Sequence, residues 1–140
     1  MGTFNSLIDA KFSPPRNWIL DTPLKFNSEE LCDEGQKLFK KCGVQITKAN
    51  VITAPKGYVT DFASIPRFCW GFIAPFDIAR AAVIHDVLYE KVNGAFEQDK
   101  ITKQQKKIAR KYADYTFREA MQSAEPEVPC WKIWCAFNAV

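Results

Sequence analysis

Apolar and polar positions alternate on two different periods along this chain. From Ala79 to Tyr89 almost every residue is apolar, the pattern of a helix buried on most of its faces, yet His85 and Asp86 stand in its middle. Asp77 is placed to cap this helix, predicted over Ile78 to Lys91, with Asn93 and Gly94 ending it. Thr102 and Gln105 form a capping box for a second long helix reaching about Ser123. Along it Arg110, Asp114, Phe117 and Met121 follow at spacings of four, three and four, so a carboxylate shares a stripe with two core-type residues.

The first half reads differently. Asn17 to Phe26 predicts one edge strand or two short pieces around Pro23, and Val44 to Ala54, rich in β-branched residues, predicts one or two strands before a turn at Pro55 to Gly57. Tyr58 to Ile65 continues as strand or loop. Between these runs, Ser28 to Gly43 predicts a helix capped by Ser28 and stopped by Gly43. Its acidic start, its basic end and an inner stripe of Leu31, Leu38, Phe39 and Cys42 support that reading, and Gly35 weakens it in the middle. Pro66 and Pro75 bracket an aromatic loop, and a short helix from Cys130 to Phe137 carries Trp131 and Trp134. The sum is an α+β domain, residues 1–140: a small antiparallel sheet packed against two long antiparallel helices and a short C-terminal one.

Composition narrows the function classes. A chain of 140 residues that is 47% hydrophobic needs no staples to fold. Nineteen basic against sixteen acidic residues is too even for a global nucleic-acid footprint, so no nucleic-acid partner is expected, although Lys103 to Lys107 (KQQKK) places cations at a helix start, where they oppose the macrodipole. No run approaches a membrane span, and the N-terminus lacks a basic start and an apolar signal core, so the expected location is the cytoplasm in which the chain is made. The five cysteines form no zinc spacing with the lone histidine and read as free thiols. A Cys32–Cys42 bridge would require that the two not lie on one continuous helix.

Candidate chemistry gathers around His85. Two helices joined by a short connection pack antiparallel, which brings Asp114 towards His85. A carboxylate there would fix the imidazole tautomer and stabilise its protonated form, leaving the other ring nitrogen to activate water. Asp86, about 100° away around the helix, cannot share that role; it is placed to bind a cation, with Asp61 as a second ligand, or to hold Arg67, Arg80 or the Thr60 and Asp61 loop. Thr60, Ser64, Arg67, Tyr89 and Arg110 are the supporting residues. The structural alternative pairs Asp61, Asp86 and Asp114 with Arg67, Arg80 and Arg110 as ion pairs that hold the fold.

The runs GYVTDFASIPR, AAVIHDVLYE and ARKYADYTFREAM, in that order, resemble the domain-of-unknown-function family 1353 of bacteriophages and prophages, over most of Ile46 to Met121. The Ser28 to Gly43 helix reads as an elaboration outside the family's core pattern. The resemblance implies a phage or prophage origin, with a host-cytoplasmic protein that is a candidate for incorporation into the virion. More faintly, HDVLY followed by ADYTF resembles secretory phospholipase A enzymes, which implies His85 as base, Asp114 as orienting carboxylate and Asp86 as a ligand of calcium. The chain lacks that family's glycine-rich calcium loop and paired cysteines. Two functions follow as expectations: a hydrolase using the His85–Asp114 dyad on a host-envelope ester or similar bond, or a non-catalytic virion or tail-assembly component whose partners are other virion proteins.

Overall fold

In the computed structural model the described residues are 2–5, 10–13, 17–60 and 79–123. Asp61, Ser64 and Arg67, and the residues expected to form the Asp77 cap, the aromatic loop and the terminal helix with Trp131 and Trp134, lie outside them. The strands are β1 (Thr3–Phe4), β2 (Ala10–Ser13), β3 (Asn17–Leu20), β4 (Leu24–Asn27), β5 (Val51–Ala54) and β6 (Val59–Thr60); the helices are α1 (Asp33–Lys41), α2 (Ala79–Glu97) and α3 (Lys103–Gln122). The α+β class holds, with the strands divided between two three-stranded antiparallel sheets, ordered β1-β4-β5 and β2-β3-β6.

The two pieces expected around Pro23 are β3 and β4, and they belong to different sheets. In β4, Leu24 and Phe26 are buried while Lys25 and Asn27 face solvent, the period-2 pattern of a sheet with one wet face. Its register with β5 sets Leu24 opposite Ala54 and Phe26 opposite Ile52, all four in the core. β6 pairs with β3, which seats Thr60 opposite Trp18.

Helix α1 starts later than the Ser28 cap predicts. The Ser28 hydroxyl donates to Glu119, the amides of Glu29 and Glu30 donate to the same carboxylate, and the Leu31 amide donates to the Ser28 hydroxyl. With those amides satisfied from outside, the segment has no need to wind, and Cys32 takes the cap position. Gly43 does stop the helix. At φ 91° it lets its own amide reach the Lys40 carbonyl and that of Val44 reach Phe39, closing the last turn. A Cβ at Gly35 would come within 2.7 Å of Leu31 Cδ1 and 3.3 Å of the Tyr112 ring, so the glycine that lowers helix propensity is what lets α1 lie against α3.

Asn93 and Gly94 do not end α2. The helix runs on to Glu97 because Val92 and Ala95 are core residues, and burying them outweighs the roughly 1 kcal/mol helix penalty of one glycine. Asp99, at φ 57°, closes it instead, with the Lys100 amide bonded to Ala95 and its own amide to Phe96. Helix α3 keeps its predicted limits: Thr102 accepts from the Gln105 amide, the Gln105 side chain accepts from the Thr102 amide, and Ser123 is the C-cap. Residues 81–85, 87 and 88 of α2 are all buried. Contacts of His85 with Phe117, Tyr89 with Arg110 and Phe96 with Lys106 run in opposite senses along α2 and α3, so the pair is antiparallel. Among the described residues no helix is long and apolar enough to cross a membrane.

Candidate active site

His85 lies where α2 is apolar on almost every side, and only 2% of it is exposed. Such a ring needs a partner, and α3 supplies one: His85 Nε2 is 2.8 Å from Asp114 Oδ1. Asp114 Oδ1 also accepts from the Tyr89 hydroxyl at 2.6 Å. Tyr89 follows His85 by one helical turn, so the two donors leave the same face of α2 and converge on one oxygen. Both bonds go to Oδ1, and the Asp114 side chain is 27% exposed, so the carboxylate bridges a buried imidazole and the surface.

Ring packing holds the imidazole in this pose. Phe117, one turn beyond Asp114, stacks on it at 4.7 Å between centroids, and Tyr89 tilts against it at 4.2 Å. A hydrogen bond to a carboxylate requires a proton on Nε2, so in the neutral ring the lone pair is on Nδ1. Burial, followed by the hydrogen bond and charge of Asp114, raises the Tyr89 hydroxyl far above its ordinary range, with Arg110 opposing. Tyr89 therefore stays a neutral donor at any pH where the protein works.

Arg110 does not pair with Asp114, as the structural alternative requires. Its guanidinium lies over the Tyr89 ring, 5.0 Å from the centroid, because the carboxylate oxygen nearest α2 is already occupied by two donors. Arg80 lies over the Phe4 ring at 4.6 Å. Asp86 points to the sheet and accepts from the Thr60 hydroxyl at 2.7 Å, which ties β6 to the helix bearing His85.

A hard cation takes six to eight oxygens, and one Asp86 oxygen is already bonded to Thr60. Among the described residues no three His, Cys, Asp or Glu side chains gather as a metal site. Asp61, the second candidate ligand, lies outside the described residues, as do the supporting Ser64 and Arg67. Around the imidazole, the described structure brings together His85, Asp114 and Tyr89.

A buried carboxylate on α3 escapes the sequence reading. Glu119, 1% exposed, accepts from the Ser28 hydroxyl at 2.6 Å and from the amides of Glu30 and Glu29 at 3.1 and 3.2 Å. Its partners lie about 90 residues away in the chain, beyond the reach of any local spacing. The available signal was its position two residues after Phe117 and two before Met121, on a helix whose neighbours are core.

Among known proteins, a family model described as "Protein of unknown function (DUF1353)" matches residues 36–140 and includes both residues of the dyad; it begins inside α1, so most of that helix belongs to the family's pattern rather than lying outside it. No curated protein and no solved structure matches the chain.

Proposed function

As the chain belongs to the DUF1353 family, whose description assigns no activity, we propose from its geometry that it is a phage-encoded hydrolase with His85 as general base, acting on an envelope ester or similar bond. The observation that carries this reading is the convergence of a buried imidazole and a neutral phenol on one oxygen of a partly exposed carboxylate. In the proposed reaction Nδ1 of neutral His85 takes a proton from water as the water oxygen bonds to the acyl carbon. The imidazolium is stabilised by Asp114 and then returns the proton to the departing oxygen, so that acid and alcohol leave and the ring is neutral again. Asp114 and Tyr89 fix the ring and its tautomer throughout; Asp86 and Thr60 support the helix against the sheet.

A second reading is a non-catalytic virion or tail component, and the 2% exposure of His85, closed in by Tyr89 and Phe117, favours it. One experiment separates the two. Ester and phospholipid hydrolysis is followed against pH for the purified protein and for His85→Asn, while the single imidazole is titrated by NMR. The hydrolase reading expects a rate that rises with deprotonation of His85 and falls at least about a hundredfold in the variant, with the fold retained. Hydrolysis that ignores the substitution, or is absent from a folded protein found in purified virions, supports the structural reading instead. There His85→Asn lowers stability by about 1 to 3 kcal/mol through unsatisfied partners.

A further inference from the structure

We propose that the far end of the α2–α3 pair is a binding groove for a linear, phosphate-bearing polyanion, recognised by its charges. The groove, about 800 Å³, is lined by the cations Lys103, Lys106, Lys107 and Arg110 over Phe96 and Ile108, and no carboxylate lines it among the described residues. None of the four cations forms an ion pair among the described residues; Lys106 and Arg110 rest on the rings of Phe96 and Tyr89. Residues 97–111 hold six basic side chains against Glu97 and Asp99, which leaves thirteen basic and fourteen acidic residues in the rest of the chain. The positive excess of the molecule is thus concentrated at this one end.

Its placement works against the helix. Lys103, Lys106 and Lys107 occupy the first turns of α3, which has no acidic residue in its first turn, and cations there oppose the macrodipole. Like charges kept together in an unfavourable place call for an anionic partner. Lys103, Lys107 and Arg110 recur at helical spacing over about 10 Å of α3, a row suited to a ligand whose charge also repeats along a line.

Two other occupants fit less well. A bilayer surface is gripped by helices with large exposed apolar side chains, and the large hydrophobics exposed among the described residues, Val59 and Tyr115, do not line the groove. Bases of a single-stranded nucleic acid stack on open rings, whereas Phe96 is covered by the Lys106 ammonium at 4.4 Å. Charge along a chain is what the groove has means to read.

Fluorescently labelled polyphosphate is the probe, titrated by anisotropy against the full chain and against the double substitution Lys103→Glu, Lys107→Glu. Four neutralised phosphates give a slope of log K on log salt of about −2.8, hence about fifty-fold weaker binding at 200 mM than at 50 mM salt. The double variant should bind at least about tenfold more weakly while its melting temperature is unchanged or raised, since acidic residues suit a helix N-terminus. Absence of salt-dependent binding, or a double variant that binds as well as the parent, overturns the proposal. So does tighter binding to anionic phospholipid vesicles than to polyphosphate, or to an oligonucleotide of equal charge, since either would mean that a surface or the bases are being read.

Discussion

Asp114 and Glu119 stand five residues apart on α3, each the centre of a hydrogen-bond network linking that helix to another part of the chain, and they are built for different ends. Five residues turn a helix by about 140°, so Asp114 faces α2 while Glu119 faces the segment before α1. Glu119 is met by a hydroxyl and two backbone amides, donors that keep their protons at any ordinary pH, and it uses both oxygens: Ser28 and Glu30 on Oε1, Ser28 and Glu29 on Oε2. Asp114 is met by an imidazole and a phenol on a single oxygen, on a side chain that reaches solvent. The first arrangement is a clamp. The second, on the hydrolase reading, orients a proton-transfer group through a carboxylate with unused capacity.

Substitutions at the two carboxylates should pull them apart. Glu119→Ala strands a buried hydroxyl and two amides and should lower stability by about 3 to 5 kcal/mol in urea unfolding, the largest single effect expected among these polar residues. Glu119→Gln should recover only part of this, because one of its two acceptors becomes an NH2 facing a donor. Asp114→Asn keeps an oxygen for both His85 and Tyr89, so it should cost about 1 kcal/mol. On the hydrolase reading it should still lower the rate by about 10² to 10⁴, since a neutral amide cannot stabilise the imidazolium. A Glu119→Gln variant with an altered pH–rate profile, beside an Asp114→Asn variant with a normal one, would mean that the two carboxylates do not differ in role as described.

The Asp114 side was readable from the sequence and the Glu119 side was not. Capping residues gave the limits of α3, helical spacing put Asp114 on the stripe of Phe117 and Met121, and the short connection made the helices antiparallel; these are local rules, and together they brought Asp114 to His85. The clamp joins residues 28–30 to 119, so nothing local encodes it, and it is also why the Ser28 cap misplaced the start of α1. The same limit explains the end of α2: Asn93 and Gly94 are stop signals by propensity, but the burial of Val92 and Ala95 is tertiary. The Arg110–Asp114 pairing failed for a related reason, since sequence does not tell which donor reaches a carboxylate first. The strands β1 and β2, two and four residues long, are too short to show a period and pair only because a partner is present.

The smallest effect tests how far the clamp's influence extends. Cys32 and Cys42 cap opposite ends of α1, both free, the first exposed and the second buried. The Gly35 amide, with the Tyr112 hydroxyl, lowers the Cys32 thiol below its ordinary range, while burial raises that of Cys42 against the opposing charge of Lys41. Because the thiolate is the reactive form, iodoacetamide at neutral pH should label Cys32 at least about tenfold faster than Cys42, as peptide mapping would show. The Cys32 rate should also level off at a lower pH. Cys32 begins its helix one residue after the amide of Leu31, which is held through Ser28 by Glu119, so Glu119→Gln should slow Cys32 towards an ordinary thiol. Asp114→Asn should leave both rates alone, because its network faces α2. Equal slowing by the two substitutions would mean that the networks are one mechanical unit, and the division of labour along α3 would fail.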